Sequence, residues 1–339
     1  VAPAPDGPGE RSCAWFGDVR GPVLYFGVSA FWSALRAAGG DPLADLAEPG
    51  PRWIGRFDLA RERFLSPLVL RAGGAATGVW DVLAHPNGRI YFTTYFDLAG
   101  SVDPASGEVR EFPAAGLGLN ELALGADGRI LVTRYGFGAD SRGSLVVLSE
   151  DGALLAEHPL ADPPGWGTAA KSLAFDPLRL EVWVNTDLFP AAGAGGVAHD
   201  ARVLGPDGRE RRAVADPELQ FFSFAPDGTG IFAEASEGRL RLRARSPGGL
   251  DRFVALDDAF DAAHDFAQEL RAEPDGSIVV TRWSGRVHVV EPTGGVRDLA
   301  LPRTGANELY YTATRRGDRV CATRCGGIEV ACADLPAAD

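Results

Sequence analysis

One pattern recurs along the chain: an apolar strand, a turn usually built on Asp-Gly or Asn-Gly, and a second apolar strand. The copies are "WDVLAHPNGRIYFTTY", "NELALGADGRILVTRY", "KSLAFDPLRLEVWVNTD", "QFFSFAPDGTGIFAEAS", "QELRAEPDGSIVVTRW" and "NELYYTATRRGDRVCATRC", starting at Trp80, Asn120, Lys171, Gln220, Gln268 and Asn307. Most are followed by two more strand-like pieces, so each unit of roughly 40 to 50 residues carries the strand content of one propeller blade. Residues 12–71 hold a more divergent copy in "SCAWFGDV", "PVLYFGVSAFW", "RWIGRFDL" and "RFLSPLVL". The expected fold is therefore all-β, a seven-bladed β-propeller of four-stranded blades. The last unit ends after three strands at "GIEVACADL", and an N-terminal strand completing it leaves six blades as the alternative. Residues 1–11 read as a flexible leader and residues 12–339 as a single propeller domain.

A formal charge of −13 argues against nucleic acid as a partner, because phosphate binding needs a basic face. No apolar run reaches the length of a membrane span. The chain contains no methionine and opens on "VAPAPDGPGE", which leads us to expect Val1 as a mature N-terminus and an exported protein: periplasmic, extracellular or at the cell surface. The four cysteines, Cys13, Cys321, Cys325 and Cys332, sit at the two chain ends, a layout of an oxidised clasp rather than a zinc site. Counting back from Gly326-Gly327 places Cys321 opposite Cys332, while Cys13 reaches Cys332 or Cys325 if the first strand joins the last blade.

Blades such as "GRIYFTTYFDLAGSVDPASGEVREFP" and "LNELALGADGRILV" resemble those of six- and seven-bladed propellers of the NHL, virginiamycin B lyase and gluconolactonase (senescence-marker-protein) type, over about residues 12–334. The resemblance implies the fold, and as a function class either ligand binding or lactonase- or lyase-type chemistry. In the lactonase pattern, asparagines at inner-strand starts hold a divalent metal together with acidic residues, and Asn120 matches that pattern. Lys171 stands where a second amide ligand is expected, the first unit lacks the family's "EGP", and "LQFFSF" lacks the aspartate. An ammonium repels calcium, which wants several oxygen ligands. No cofactor is favoured on this reading, with calcium at Asn120 as the alternative. The histidine and glutamate set of the lyases is not recognisable.

The start of each inner strand borders a propeller's channel, so Trp80, Asn120, Lys171, Gln220, Gln268 and Asn307 are expected to form a mostly amide ring. Its single charge is Lys171, the sole lysine among 33 basic residues. Counting across its hairpin puts Lys171 opposite Asp187, either as a structural pair or as a holder of a carboxylate or phosphate kept charged by Asp187. The same counting pairs Glu121 with Arg134, Glu269 with Arg282 and Glu308 with Arg324, read as ion pairs that bind blade to blade. His85, His158 and His288 read as structural or solvated, and His199 and His264, each followed by aspartate, as surface groups. Aromatic residues gather in the loops at Phe31, Trp32, Tyr95, Phe96, Tyr135, Phe137, Trp166, Phe189 and Trp283, where binding residues collect on rigid scaffolds. The resulting expectation is a binding module for a small anionic or sugar-like ligand, or for a protein partner. Lys171, Asp187, Asn120, Gln220, Gln268, Asn307, Trp80, Tyr135, Trp283 and His264 form its face. A lactonase- or lyase-type enzyme is the alternative.

Overall fold

The computed structural model describes residues 13–29, 52–70, 78–94, 99–113, 118–136, 142–190, 198–216, 219–257, 267–302, 309–325 and 328–337. The first strands are β1 (Cys13–Arg20), β2 (Val23–Ser29) and β3 (Arg52–Asp58), with the short β4 (Arg63–Phe64) and β5 (Leu68–Leu70) on the outer edge of β3. Five four-stranded antiparallel sheets follow. They are β6 (Asp81–Ala84), β7 (Ile90–Thr93), β8 (Ala99–Val102) and β9 (Val109–Glu111); β10 (Leu119–Leu124), β11 (Ile130–Arg134), β12 (Ser144–Leu148) and β13 (Leu154–Pro159); and β14 (Trp166–Asp176), β15 (Glu181–Pro190), β16 (Ala198–Leu204) and β17 (Glu210–Val214). The fourth and fifth are β18 (Leu219–Phe224), β19 (Gly230–Ser236), β20 (Arg239–Arg245) and β21 (Asp251–Asp257), and β22 (Ala267–Ala272), β23 (Ile278–Arg282), β24 (Arg286–Val290) and β25 (Val296–Ala300). The chain closes with β26 (Leu309–Arg316), β27 (Arg319–Cys325) and β28 (Glu329–Asp334).

The molecule is thus an all-β propeller with four-stranded blades, but the expected seven separate blades, and the alternative of six, are both corrected. Five four-stranded blades are present, and the first and last units merge into one eight-stranded sheet. The physical cause is β1, which pairs with β2 along its length and with β27 at Cys13↔Cys325. The Cys13–Cys325 disulfide fastens that junction, and Cys321–Cys332 bridges directly opposed residues of β27 and β28. Both disulfides agree with the clasp expected at the chain ends. The first strands of successive sheets touch in a closed circle: β1, β6, β10, β14, β18, β22, β26 and back to β1.

Apolar alternation explains the packing, because each strand sends one set of side chains toward each neighbouring blade. Tyr25 and Ile54 pack with Val82, Ile90 and Phe92 of the next blade, and Val279, Val287 and Val289 pack with Tyr310 and Val320. The core therefore lies between blades. Turn chemistry is local: Gly88 and Gly276 occupy φ of +99° and +83°, a region that costs other residues energy.

Polar stitches join the same blades near the axis. Thr93 Oγ1 donates to the Asn120 carbonyl at 2.6 Å, Thr133 Oγ1 to that of Lys171 at 3.2 Å, and Thr323 Oγ1 to that of Trp15 at 2.8 Å. Asp18 accepts the Ala84 N–H at 3.0 Å and Asp81 the Leu122 N–H at 2.7 Å.

The expected Glu–Arg pairs are not these links. Arg134 lies opposite Leu119 and bonds Glu157 at 2.8 Å; Arg282 lies opposite Ala267; Glu269 reaches Arg271 at 3.2 Å. Arg324 lies opposite Tyr310 and meets Glu329, while Glu308 falls outside the described residues. A three-residue turn at Ala126–Gly128 and β-bulges in β10, β22 and β26 shift each register. A one-residue slip sends side chains to opposite faces, which separates residues that simple counting pairs.

Candidate functional site

Bulges interrupt six of the seven first strands, all but β6. They hold Trp15 and Phe16 in β1, Asn120 and Glu121 in β10, Lys171 in β14, Gln220 in β18, Gln268 in β22, and Tyr311 and Thr312 in β26. Four positions of the expected amide ring are therefore bulge positions. A bulge re-aims a side chain out of the pleat, which is why bulges recur beside binding sites. The threonine stitches fix the bulge carbonyls of Asn120, Lys171 and Trp15 from the preceding blade. Asn120 Nδ2 also donates to the Lys171 carbonyl, so the lysine backbone is held from two directions.

The hairpin sets Ser172 opposite Asn185 and the bulge at Lys171 sets Ala169 opposite Asp187, so Lys171 is not the directly opposed residue that counting gives. The expected contact nevertheless forms, with the ammonium 3.9 Å from Asp187 Oδ1. Asp187 is held more closely by two other groups: the Tyr135 hydroxyl donates to Oδ2 at 2.9 Å, and His199 Nδ1 lies 2.8 Å from Oδ1. His199 gets there by register, since β16 sets it directly across from Asp187. Burial pushes the Asp187 carboxyl up, but the His199 hydrogen bond, the Lys171 charge and the Tyr135 hydroxyl together hold it below the usual range. The His199 side chain is 55% exposed, so with Nδ1 against the carboxylate its opposite ring edge is open to a ligand.

The sequence reads His199 as a surface group, and its side chain is exposed, but it is oriented by Asp187 rather than by the following Asp200, which Thr186 and Arg202 engage. The missed signal is cross-strand, because β15 and β16 bring residues 12 apart into register.

Beside this cluster lies an aromatic floor. Trp15 packs on Trp80 at 4.5 Å and on Tyr311 at 4.7 Å between centroids, and Phe16 joins both. Trp80 and Tyr135 flank this group, which surrounds Cys13 and Cys325. Trp283 is half-buried against β26, its carbonyl accepting from Tyr310 N at 3.3 Å. Gln268 is half-buried. Asn307 and His264 fall outside the described residues, as do Phe31, Trp32, Tyr95, Phe96 and Phe137. His85 and His288 are buried structural groups, on the Gly128 carbonyl at 3.0 Å and on Asp298 at 2.7 Å.

Below the ring the axis opens into a cavity of about 140 Å³ that touches six of the innermost strands. Asp18, Asp81, Glu121, Glu269 and Arg271 line it, a set of which the sequence reading had singled out only the two glutamates. Arg271 bonds Asp18 at 2.9 Å, the Gly17 carbonyl at 2.7 Å and Glu269 at 3.2 Å. Burial pushes Asp81 up to about 8, against the Leu122 and Val82 N–H groups. It lifts Glu269 to about 7 against the Arg271 charge. Burial and the Asp81 charge raise Glu121 well above the usual range, opposed by Lys171.

For calcium, the donor set at the ring fits poorly. Asn120 Oδ1 is buried and without a hydrogen-bond partner, but the ammonium on the adjacent strand repels a cation. Among the described residues no three His, Cys, Asp or Glu side chains are arranged to hold a metal ion.

Known structures resemble this fold. A streptogramin B lyase is 13% identical with a TM-score of 0.65, covering 98% of this chain and 95% of its own. A catalytically inactive histidine-to-alanine variant of virginiamycin B lyase from Staphylococcus aureus, with quinupristin, is 10% identical with a TM-score of 0.61, covering 96% of each chain. A putative gluconolactonase is 15% identical with a TM-score of 0.49 over 86% of this chain and 94% of its own. The resemblance to virginiamycin B lyase propellers is thus found in structure, and at these identities it concerns the fold. No protein-family model and no curated protein matches the sequence.

Proposed function

We propose that the channel mouth is a small-molecule site with acid–base capability, of the lyase or lactone-opening kind. The observation that carries this reading is the joint hold on Asp187 by His199, Tyr135 and Lys171. An ionised aspartate on Nδ1 fixes the histidine tautomer and leaves the other nitrogen basic, the arrangement a general base needs. Lys171 supplies a compact positive charge beside it, suited to a carbonyl oxygen or carboxylate on which negative charge gathers. In an elimination His199 takes the proton next to that carbonyl as the C–O bond at the neighbouring carbon breaks and its carboxylate leaves. In a lactone opening it takes the proton of the attacking water while the ring C–O bond breaks. The lyase-like fold supports the class of chemistry by analogy alone.

Quinupristin and glucono-δ-lactone are the probes, followed by mass spectrometry. A ring-opened product of unchanged mass marks elimination, and one heavier by a water marks hydrolysis. His199→Ala should abolish either with the melting temperature unchanged. Saturable binding of gluconate or inorganic phosphate without turnover, lost in Lys171→Met, would instead establish a binding module, the reading that the aromatic floor and the lysine favour. Calcium should leave the melting temperature unchanged, and stoichiometric calcium in the purified protein would restore a metal-dependent hydrolase. We also infer export, on the strength of the two disulfides. Among the described residues no helix is long and apolar enough to cross a membrane.

A further inference from the structure

A second cavity, away from the channel mouth, opens between the blade β14–β17 and the blade β18–β21 and encloses about 490 Å³. That lies within the range of small-molecule sites. We propose that this inter-blade cleft binds a flat aromatic anion, an aryl carboxylate or sulfonate.

Three features of the cleft point to this ligand chemistry. The first is the aromatic lining. Trp183, Phe224 and Phe232 meet at centroid distances of 5.4 to 6.2 Å. The second is charge. Five arginines line the cleft against four carboxylates, an excess of positive charge on a chain of net −13. The carboxylates are shared: buried Glu234 accepts from both Arg241 at 3.0 Å and Arg243 at 2.5 Å. Glu181 likewise serves Arg211 at 3.5 Å and Arg212 at 3.3 Å. One carboxylate between two guanidiniums leaves net positive charge for an entering anion. The third feature is the Trp183 indole. Trp183 is 9% exposed and its Nε1 has no hydrogen-bond partner, an unmet donor in the cleft lining.

The guanidiniums already lie over rings, Arg243 at 4.3 Å from Phe232, Arg241 at 5.2 Å from Phe253 and Arg212 at 5.3 Å from Trp183. Such stacks form a slot for another planar group, in which the ring face meets a cation and the anionic edge meets the guanidinium fork. Arg179 closes one end, bonding Asp176 at 2.8 Å on its own blade and the Pro247 carbonyl at 3.3 Å on the next. Phe253, 55% exposed, stands at the open side.

The test is isothermal titration of the full chain with 2-naphthoate and its neutral analogue 2-naphthalenemethanol. The naphthoate should bind one to one, and the alcohol at least about tenfold more weakly. Arg212→Gln combined with Phe253→Ala, two exposed side chains, should weaken naphthoate binding by about tenfold or more without moving the melting temperature. Lys171→Met should leave it unchanged, which separates this cleft from the channel mouth. Equal binding of acid and alcohol, unaltered binding by the double variant, loss of binding in Lys171→Met, or no binding of naphthoate overturns the proposal.

Discussion

Asp81 and Asp187 are almost equally hidden, 7% and 8% exposed, and their acidities move in opposite directions. Asp81 rises to about 8 chiefly because burial penalises its charge, opposed by two backbone N–H groups and reinforced by the nearby carboxylates Glu269 and Asp18. Asp187 falls although burial works against it, because its neighbours are a histidine, a lysine and a hydroxyl. Burial sets the size of the penalty, and the sign of the neighbouring charge decides who wins. The channel interior thus holds Asp81 and Glu269, which keep their protons to higher pH, while Asp187 at the mouth stays ionised beside His199.

The largest expected effect comes from removing the interior's cation. Arg271→Met leaves Asp18 and Glu269 without their shared partner and should cost about 3 kcal/mol near pH 8. The cost should be smaller near pH 5, where Glu269 takes up a proton, and denaturant melts at both pH values measure it. An equal loss at both would mean that packing rather than charge holds the interior.

Proton linkage gives the next effect. Asp81 and Glu269 have folded values of about 8 and about 7, raised from ordinary values of 3.8 and 4.5. A raised carboxyl favours the folded state fully below its ordinary value and loses that contribution as pH climbs through the folded value. Stability should therefore decline between about pH 4 and pH 8, by several degrees in melting temperature. Asp81→Asn should flatten the slope. A slope unchanged in that variant would place the titration elsewhere.

The smallest change in stability is expected at the mouth. Lys171 is 38% exposed and 3.9 Å from Asp187, so Lys171→Met should shift stability by less than about 1 kcal/mol. Ligand binding or turnover at the mouth should be lost. Lys171→Arg should keep the stability and lower the activity, because a planar fork replaces a point charge in a ring of fixed bulges. A strongly destabilised Lys171→Met would make the lysine a structural partner after all.

Much of this architecture is legible in the amino-acid order. The recurring hairpins carry their own turn glycines and alternating apolar faces, so strand content and sheet type follow from local chemistry. The Cys321–Cys332 half of the clasp is legible too, since cysteines opposed across a short hairpin leave few alternatives. Even the threonine stitches leave a trace, as the repeated threonine in "FTTY", "VTRY" and "CATRC", although nothing in one repeat says that its hydroxyl serves the next.

Register across the bulges is another matter. Glu121 and Arg134 look paired by counting, yet an extra residue in the turn and another in the strand place Arg134 opposite Leu119 and on Glu157. The extra strand residue is stabilised by the neighbouring blade's hydroxyls, which lie far away in sequence. The merged eight-stranded sheet has the same origin, because Cys13 meets Cys325 only once the ring closes. The amino-acid order alone determines the blades, since each hairpin satisfies its own backbone and turn. Tertiary structure decides how many sheets remain separate, which carboxyls stay charged and that His199 faces Asp187, because those outcomes depend on fields and contacts between blades that no single repeat contains.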